Sequence, residues 1–247
     1  MPAEDRAAAL LAQGNLPRHV AVIMDGNGRW AAQRRRPRIF GHRAGMRSVR
    51  AVMQAAGDLH IPALTLLAFS QENWKRPRAE VEALMGLLRR YMTSERDELI
   101  EKGIQVRAIG ELDQLAPPAR AELDHLISDT AANDQLIVTL ALSYGARAEI
   151  VEAARRIAEA ARAGALNPAA LDETLFASYL YTADLPDPDL LIRTSGELRL
   201  SNFLLWQIAY TELYVTDVLW PDFGRDAFFD AIAAYQERER RFGAVLV

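Results

Sequence analysis

The chain has 247 residues, of which half are hydrophobic and a quarter are charged, so it can bury the core of one large α/β domain or two small ones. The formal net charge is −4, which gives no electrostatic reason to expect nucleic acid as a partner. The chain contains no cysteine, which excludes disulfides, thiolate catalysis and cysteine zinc sites.

The N-terminus and the apolar runs indicate a soluble, cytoplasmic protein whose membrane contact would be peripheral. Residues 1–14 are polar and alanine-rich and lack the basic and apolar regions of a signal peptide. Apolar runs such as Ala63–Phe69 are far shorter than the ~18 residues that a membrane span requires. We expect residues 1–16 to form a flexible N-terminal segment.

Strand-like and helix-like runs alternate along the rest of the chain. The order is strand His19–Met24, helix Arg43–Asp58, strand Pro62–Phe69, a long helix with its apolar face over Val81–Met92, strand Gln105–Ile109, a helix opened by Pro117, strand Leu136–Leu142, helix Arg147–Ala163, strands Leu190–Arg193 and Leu213–Val215, and a final helix around Phe228. Fully apolar strands separated by helices predict a mostly parallel sheet that is covered on both faces. Because ligands of such sheets bind at the carboxyl ends of strands, the polar segments after strands are the first candidates for a site.

The first such segment is Asp25–Arg29, which follows the first strand directly. Its two glycines allow the backbone to approach a ligand closely, and Arg29 adds a cation. Asp25 could serve a phosphate only through Mg²⁺, which prefers carboxylate and phosphate oxygens. A simple turn is the alternative for a string of this composition.

Basic residues come next. Arg34–Arg36 are interpreted as a solvated loop, whereas Arg38 and the stretch Gly41–Gly45 lead into a helix whose N-terminus could hold an anion. We therefore expect Arg38 and His42 to contact a ligand, although His42 could also simply start the helix.

Two further strands are followed by polar, arginine-bearing segments. Ser70–Arg76 follows the second strand, and Trp74 within it could pack as core or shield a site from water. The segment Arg193–Phe203 follows a later strand, and Arg193, Arg199 and Ser201 could bind a second diphosphate or simply form a polar loop.

The signatures of nucleotide-binding loops, dinucleotide folds and serine hydrolases are absent, so those chemistries have no positive support.

Together these segments resemble the undecaprenyl diphosphate synthase family of cis-prenyltransferases. The matching stretches are Val22–Ala31, Phe40–Gly45, Ala68–Pro77, Ser143–Gly145, Leu191–Gln207, Ala209–Tyr214 and Trp220–Phe223. They follow one another in family order over roughly residues 19 to 242, and their combination is far more specific than any one of them.

The resemblance implies a single α/β catalytic domain over residues 17–247, with a six-stranded, mostly parallel sheet ringed by helices and a hydrophobic tunnel. It also implies a Mg²⁺-dependent homodimer that condenses isopentenyl diphosphate with an allylic diphosphate such as farnesyl diphosphate. The expected product is a long-chain Z-polyprenyl diphosphate, most simply undecaprenyl diphosphate, the lipid carrier precursor for cell-wall synthesis.

The resemblance also assigns roles to residues by position. Asp25 and Asn73 are the expected catalytic residues, with Asn73 at the position of proton removal, and Asp25 and Glu212 are the expected metal ligands. The expected substrate-binding residues are Gly26, Asn27, Gly28, Arg29, Trp30, Arg38, His42, Ser70, Gln71, Glu72, Trp74, Arg76, Arg193, Arg199, Leu200 and Ser201.

Some alternatives stay open at this point. Leu198 stands where some family members have histidine, so no metal role is assigned to it. Leu136 is expected near the tunnel floor, but product length depends on tunnel volume, and a short- or medium-chain cis-prenyltransferase is therefore an alternative. A non-catalytic scaffold subunit of the same fold is a second alternative, and a generic phosphosugar or nucleotide binder is a third.

Overall fold

A computed structural model describes residues 3–239 of the chain. Its elements are α1 (Ala3–Gln13), β1 (His19–Ile23), α2 (Asn27–Gln33), α3 (Arg38–Asp58), β2 (Ala63–Ser70), α4 (Arg78–Glu101), β3 (Ile104–Ile109), α5 (Pro117–Asp129), β4 (Leu136–Tyr144), α6 (Ala146–Arg162), α7 (Glu173–Ala177), β5 (Leu190–Arg193), β6 (Glu212–Val215) and α8 (Arg225–Gln236), with short 3-10 helices at Gln71–Lys75, Leu112–Gln114, Pro168–Ala170 and Trp220–Asp222. The part of the predicted catalytic domain beyond residue 239 lies outside the described residues. No helix of the described chain is long and apolar enough to cross a membrane.

The six strands form one parallel sheet in the order β3-β4-β2-β1-β5-β6. The predicted fold class is therefore confirmed. Because β1 lies near the centre of the sheet, between β2 and β5, all five of its residues are buried, and all but His19 are apolar. The carboxyl ends of β1, β2 and β5 consequently meet at one edge of the sheet.

Apolar side chains leave both faces of the sheet and form two separate cores. On one face, alternate strand residues such as Val20 and Val22 pack with α1, α3, α4, α5 and α8. On the other face, Ala21 and Ile23 pack with the start of α6 and with residues 203–208. This alternation follows from the period of two along a strand.

The N-terminal segment differs from the expectation of a flexible residue 1–16 region, because its described part forms α1. The buried side chains of Ala7 and Leu10 join the larger core, and Arg6 forms ion pairs with Asp226 and Asp230 of α8. Gln236 of α8 also donates to the backbone oxygen of Leu10. Tertiary contacts with α8 thus hold in place a segment whose polar, alanine-rich composition did not by itself predict a packed helix.

Helix α3 begins at Arg38 rather than at Arg43, so Gly41–Gly45 lies inside the helix instead of leading into it. His42 is therefore one turn into α3 rather than at its start, and the N-terminus of the helix lies at Arg38. Gly41 is required by close packing, since a Cβ there would lie 1.9 Å from the backbone oxygen of Asn27. This contact sets how closely α2 and α3 approach.

Replacing Gly41 with alanine should destabilise the fold, because neither backbone can move away without separating α2 from α3. Overpacking of this kind typically costs ~1–3 kcal/mol. Gly57→Ala is the matched control in the same helix, where an added Cβ meets nothing within 4 Å. It should be neutral or stabilising by roughly 0.5–1 kcal/mol. Urea unfolding followed by circular dichroism measures both, and equal stabilities would contradict the packing argument.

Candidate functional site

A cavity of about 550 Å³ lies between the sheet and helices α3 and α4 and opens at the carboxyl edge of β1, β2 and β5. Its volume falls within the ~300–1,000 Å³ range of small-molecule sites. The polar part of its lining consists of Asp25, Asn27, Gly28, Arg38, His42, Ser70, Glu72, Asn73, Arg76, Arg193, Arg199, Ser201 and Asn202. Twelve of these thirteen residues were predicted from the sequence, and Asn202 was not among them.

Asp25 and Arg193 form the ion pair at the centre of the polar part. Asp25 follows β1 and Arg193 ends β5, and an Asp25 carboxylate oxygen accepts from the Arg193 guanidinium at 2.8 Å. Thr194 fixes the Asp25 backbone. Its hydroxyl accepts from the Asp25 backbone N–H at 2.9 Å and donates to the Asp25 backbone oxygen at 2.7 Å. Gly26 donates its N–H to the other carboxylate oxygen at 2.7 Å.

Arg193 is almost fully buried, with only 5% of its side chain exposed. Besides Asp25, it donates to the hydroxyl of Ser201 at 2.8 Å and to the backbone oxygen of Arg199, which shapes the loop between them. Its Nε is buried without a partner among the described residues. Because buried polar groups are normally hydrogen-bonded, this donor is suited to an acceptor from a bound ligand.

A second pair of arginines faces the cavity from the other side. Arg76 and Arg38 share one carboxylate, that of Glu80, at 3.1 Å and 3.4 Å respectively. Burial and the charge of Arg38 lower the pKa of Arg76. Two cations that share one anion leave an excess positive charge, which favours a bound anion such as a diphosphate. Gly28 lies against this pair, since a Cβ there would meet the Arg38 guanidinium at 3.1 Å.

His42 lies beside these arginines, and its burial together with their charges favours the neutral imidazole. Burial and the charges of Arg76 and Arg38 lower the pKa of His42 to about 4. Its Nε2 is buried and has no hydrogen-bond partner among the described residues. A neutral imidazole with a free nitrogen can donate to or accept from a ligand in the cavity.

Asn73 is held by a capping box at the 3-10 helix after β2. Its side-chain oxygen accepts from the Ser70 backbone N–H at 3.1 Å, while the Ser70 side chain accepts from the Asn73 backbone. The amide NH₂ of Asn73 is consequently the end of the side chain that is free to donate. Glu72, in the same turn, accepts from Asn202 at 3.2 Å and so connects this turn to the loop after β5.

Six predicted substrate-binding residues do not line the cavity: Gly26, Arg29, Trp30, Gln71, Trp74 and Leu200. Arg29 lies at the rim and pairs with Ser195 and Glu197 at 2.5 Å and 3.0 Å. The indole N–H of Trp30 donates to Asp222 on the outer surface, and the guanidinium of Arg34 stacks on its ring.

Leu200 is partly exposed, whereas the other three members of this set hold the turns next to the cavity. Trp74 packs edge-on against Phe69 and donates to Ser143, and Gln71 donates to Glu111. Both contacts anchor the turn that carries Asn73. Gly26 has a φ of 103°, and a Cβ there would lie 2.9 Å from Leu219 and Ser195 side-chain atoms, so the turn after β1 requires glycine.

A single chain does not bring together the two expected metal ligands, Asp25 and Glu212. Glu212 starts β6 and is level with Leu190 and Val20, at the opposite edge of the sheet from Asp25. Position 20 precedes Asp25 by five residues, which is about 16 Å at ~3.3 Å per residue. Glu212 instead pairs with Arg238 at 2.8 Å.

The inner part of the cavity is apolar. Its walls come from α3, α4, β2 and β4 and include Met46, Val49, Leu66, Leu84, Met85, Leu88, Tyr91, Leu140 and Leu142. Leu136 is buried in the core at the start of β4 and does not line the cavity, contrary to its predicted place at the floor. The cavity therefore joins a cationic mouth to an apolar interior and matches an amphiphile with an anionic head.

The oxygen ligands at this site fit a magnesium ion whose remaining ligands would come from the substrate. Among residues 3–239, no group of three or more His, Asp and Glu could hold a metal. Mg²⁺, however, is commonly bound by one or two carboxylates together with phosphate oxygens and water. Asp25 supplies one carboxylate, 34% exposed and facing the cavity beside the arginines.

Three residues at this site were missed from the sequence. Thr194 and Asn202 lie in the segment after β5 but were not singled out, although Thr194 directly follows Arg193. Glu80 was missed although its spacing of four residues from Arg76 is typical of a helical ion pair.

Comparison with known proteins agrees with this geometry. The family model described as "Putative undecaprenyl diphosphate synthase" matches residues 23–243. The chain belongs to the undecaprenyl diphosphate synthase family of cis-prenyltransferases. An isoprenyl transferase of Heliobacterium mobile is 56% identical over 94% of this chain and 89% of its own length. The ditrans,polycis-undecaprenyl-diphosphate synthase ((2E,6E)-farnesyl-diphosphate specific) of Xanthomonas axonopodis pv. citri is 51% identical over 92% of this chain and 89% of its own length.

Solved structures of this family have the same fold. Lavandulyl diphosphate synthase from Lavandula x intermedia, in complex with dimethylallyl diphosphate, superposes with a TM-score of 0.90 at 40% identity and covers 92% of this chain and 98% of its own. A probable undecaprenyl diphosphate synthase from Campylobacter jejuni gives a TM-score of 0.78 at 34% identity, over 93% of this chain and all of its own. The family thus includes enzymes with products of different kinds.

The lowered pKa of His42 predicts a pH dependence of stability. Because the folded-state pKa of about 4 lies below the ordinary 6.5, the unfolded chain binds more protons between these values. Stability should therefore fall as the pH drops from 6.5 to 4, by at most roughly 3 kcal/mol from this group at ~1.36 kcal/mol per pKa unit. His42→Gln should flatten that part of the profile, measured by urea unfolding at several pH values. An unchanged slope would contradict the assignment.

Proposed function

We propose that the protein condenses isopentenyl diphosphate with an allylic diphosphate, farnesyl diphosphate, in a Mg²⁺-dependent reaction that yields a long-chain Z-polyprenyl diphosphate. The proposed product is undecaprenyl diphosphate, the lipid carrier precursor for cell-wall synthesis. The observation that carries this proposal is the two-part cavity, whose cationic mouth and apolar interior fit the head and tail of a prenyl diphosphate. The farnesyl specificity in the name of the Xanthomonas relative supports the choice of primer.

Two arginine groups support binding of two diphosphates. Arg38 and Arg76, with Gly28 and His42, would hold the allylic diphosphate over the apolar interior. Arg193, Arg199 and Ser201 would hold isopentenyl diphosphate. Fixing both substrates in one geometry can contribute on the order of 7–11 kcal/mol to catalysis.

In the proposed reaction, the allylic C1–O bond breaks and its electron pair leaves with the diphosphate. The double bond of isopentenyl diphosphate then forms the new carbon–carbon bond at C1, and a proton leaves C2. The arginines stabilise the charge that develops on the leaving diphosphate. A magnesium ion held by Asp25 would neutralise part of that charge and orient the phosphate oxygens.

Asn73 is proposed to position a substrate rather than to remove the proton. Its side-chain oxygen is already occupied by the Ser70 N–H, so its NH₂ is the group that can donate to a phosphate oxygen. A neutral amide also binds protons poorly. A phosphate oxygen or the Asp25 carboxylate is therefore the proposed acceptor of the C2 proton.

The direct test incubates the protein with farnesyl diphosphate, radiolabelled isopentenyl diphosphate and Mg²⁺ and sizes the products by chromatography. We expect long-chain products that disappear when EDTA removes the metal and return when Mg²⁺ is restored. Short products would support the alternative of a short- or medium-chain cis-prenyltransferase, which the likeness to lavandulyl diphosphate synthase keeps open. No product with any allylic primer would support the scaffold alternative and contradict the proposal.

Variants of Asp25 and Asn73 should separate their roles. Asp25→Asn removes the metal-binding charge and should lower kcat by at least ~10²–10³, the cost of losing one strong transition-state contact. Asn73→Ala should lower kcat as well, whereas Asn73→Asp places a negative charge beside the diphosphate and should not restore it. Circular dichroism and thermal melts would control for folding. Wild-type turnover by Asp25→Asn, or full activity of Asn73→Asp, would refute this division of roles.

We also propose that the protein is a homodimer that uses the β6 edge of the sheet. β6 pairs with β5 alone among the described strands, and Leu213 and Val215, both on one face of the strand, are 48% and 38% exposed. Exposed apolar patches of this kind often mark protein interfaces. A contribution of Glu212 to a metal site would require such a second subunit, because Glu212 is remote from Asp25 within its own chain.

Light scattering should therefore give a mass of about twice 27.5 kDa for the wild-type protein. Leu213→Arg places a charge in the proposed interface and should yield monomers. Val151→Arg is the control, since Val151 is 68% exposed on α6 and away from β6. A monomeric wild type, or dissociation by Val151→Arg alone, would contradict the proposed interface.

A further inference from the structure

Positive charge is concentrated in one part of the chain. Residues 26–57 contain eight arginines, one histidine and no aspartate or glutamate, although the whole chain has a net charge of −4. Arg29 lies at the rim of the site, and Arg38 and His42 line its cavity. The other arginines lie between α2 and α3 and along α3, and this bias predicts a cationic surface there.

The exposed side of α3 presents these arginines in a row. Phe40, Arg43, Arg47 and Arg50 recur at intervals of three and four residues, which places them on one face of the helix, opposite its buried residues. Arg50 is paired with Glu95 of α4. Arg43 and Arg47 form no ion pair with any of residues 3–239.

Helix α4 adds two more exposed arginines on the same side. Arg89 and Arg90 face a groove between α3 and α4 that Arg43 and Arg50 also line, and their guanidinium groups have no ion-pair partner in the described chain. We call Arg43, Arg47, Arg89 and Arg90, together with the exposed ring of Phe40, the arginine face. Unpaired guanidinium groups on one surface attract an extended anionic partner.

The groove connects the arginine face to the cavity. It has a volume of about 820 Å³, and three of its apolar wall residues, Met46, Leu87 and Tyr91, also line the cavity of the site. A single layer of side chains therefore separates the apolar interior from the outer groove. A second groove, shared through Arg43, continues past Phe40 and Arg47 to Trp30.

We propose that the arginine face docks on the surface of an anionic lipid bilayer. Clustered arginines attract anionic headgroups, and an exposed aromatic ring such as that of Phe40 is suited to the headgroup region. The apolar wall residues of the groove distinguish this partner from a nucleic acid, since they supply a path for acyl or prenyl chains that a polyanion without apolar chains would not use. The bilayer contact orients the α3–α4 gap toward the lipid.

This contact gives the gap a role in product release, and that role rests on the proposed prenyl transfer. A cavity of about 550 Å³ is the size of a site for a drug-sized ligand, which a polyprenyl chain outgrows as units are added. The distal units would pass between α3 and α4 at Met46, Leu87 and Tyr91 and enter the bilayer directly. The docking itself does not depend on the activity.

The test is co-sedimentation of the full-length protein with vesicles. Vesicles of phosphatidylcholine alone are compared with vesicles that also contain phosphatidylglycerol, at low and high salt. The protein should bind only the anionic vesicles and be released by salt. The variants Arg43→Glu/Arg47→Glu and Arg89→Glu/Arg90→Glu should each weaken binding by at least about 25-fold, at roughly fivefold for each arginine lost.

A charge-matched control separates the arginine face from net charge. Arg155→Glu/Arg162→Glu changes the charge equally on α6, where both side chains are exposed, and should bind vesicles like the wild type. The proposal would be overturned if this control lost binding equally, or if the wild-type protein bound phosphatidylcholine vesicles equally well. It would also be overturned if RNA displaced the protein from vesicles at a lower concentration than free phosphatidylglycerol vesicles do.

Turnover in detergent, measured on the same variants, keeps the two proposals apart. The arginine-face variants should retain wild-type rates, because none of the four arginines lines the cavity. If the wild-type protein turned over but did not bind anionic vesicles, the docking surface would be overturned and the proposed function left intact. Vesicle binding by a protein without turnover would overturn the function and leave the docking surface.

Discussion

The ion pair between Asp25 and Arg193 is the constraint on which the site depends. β1 and β5 are neighbouring parallel strands, so the residues that follow or end them meet at one edge of the sheet. A guanidinium as buried as that of Arg193 is stable only with an anionic partner and satisfied donors. Asp25, Ser201 and the backbone of Arg199 supply these, and the loop after β5 takes its shape from them.

The separation of charge and apolar surface in the cavity follows from the same parallel sheet. Strand residues must be apolar because both faces are covered, whereas the turns at the carboxyl ends are free to carry arginine, asparagine and aspartate. A cavity that starts at this edge and runs inward between the sheet and α3 and α4 therefore changes from cationic to apolar along its length. An isoprenoid diphosphate has the same order of parts.

Sequence predicted the strands and most of the polar cavity because these depend on local patterns. Continuous apolar runs indicated the buried strands, and the segments after them carried Asp25, Asn73 and Arg193 to one place. Helix α1 was missed because its polar, alanine-rich sequence packs through contacts with α8 that no local pattern reveals. The position of Glu212 depends on the register of β5 with β6, which sequence alone does not specify.

Side-chain direction limited the prediction of individual contacts in the same way. Arg29 and Trp30 follow Asp25 closely in the chain, but α2 turns them to the rim and the outer surface, where Glu197 and Asp222 hold them. Gln71 and Trp74 flank Asn73 yet face away from the cavity and bind Glu111 and Ser143. Proximity along the chain thus identified the segment correctly without identifying which side chains reach the cavity.

Helix α4 has one further consequence through its first turn. Glu80 there holds Arg38 and Arg76, while Leu84, Leu88 and Tyr91, farther along the same helix, form the apolar wall. A helix moves largely as a rigid rod, so a shift of this wall would also shift the carboxylate that sets the spacing of the two arginines. In the proposed reaction, the helix that contacts the hydrocarbon tail and the carboxylate that holds the two diphosphate-binding arginines would therefore move together.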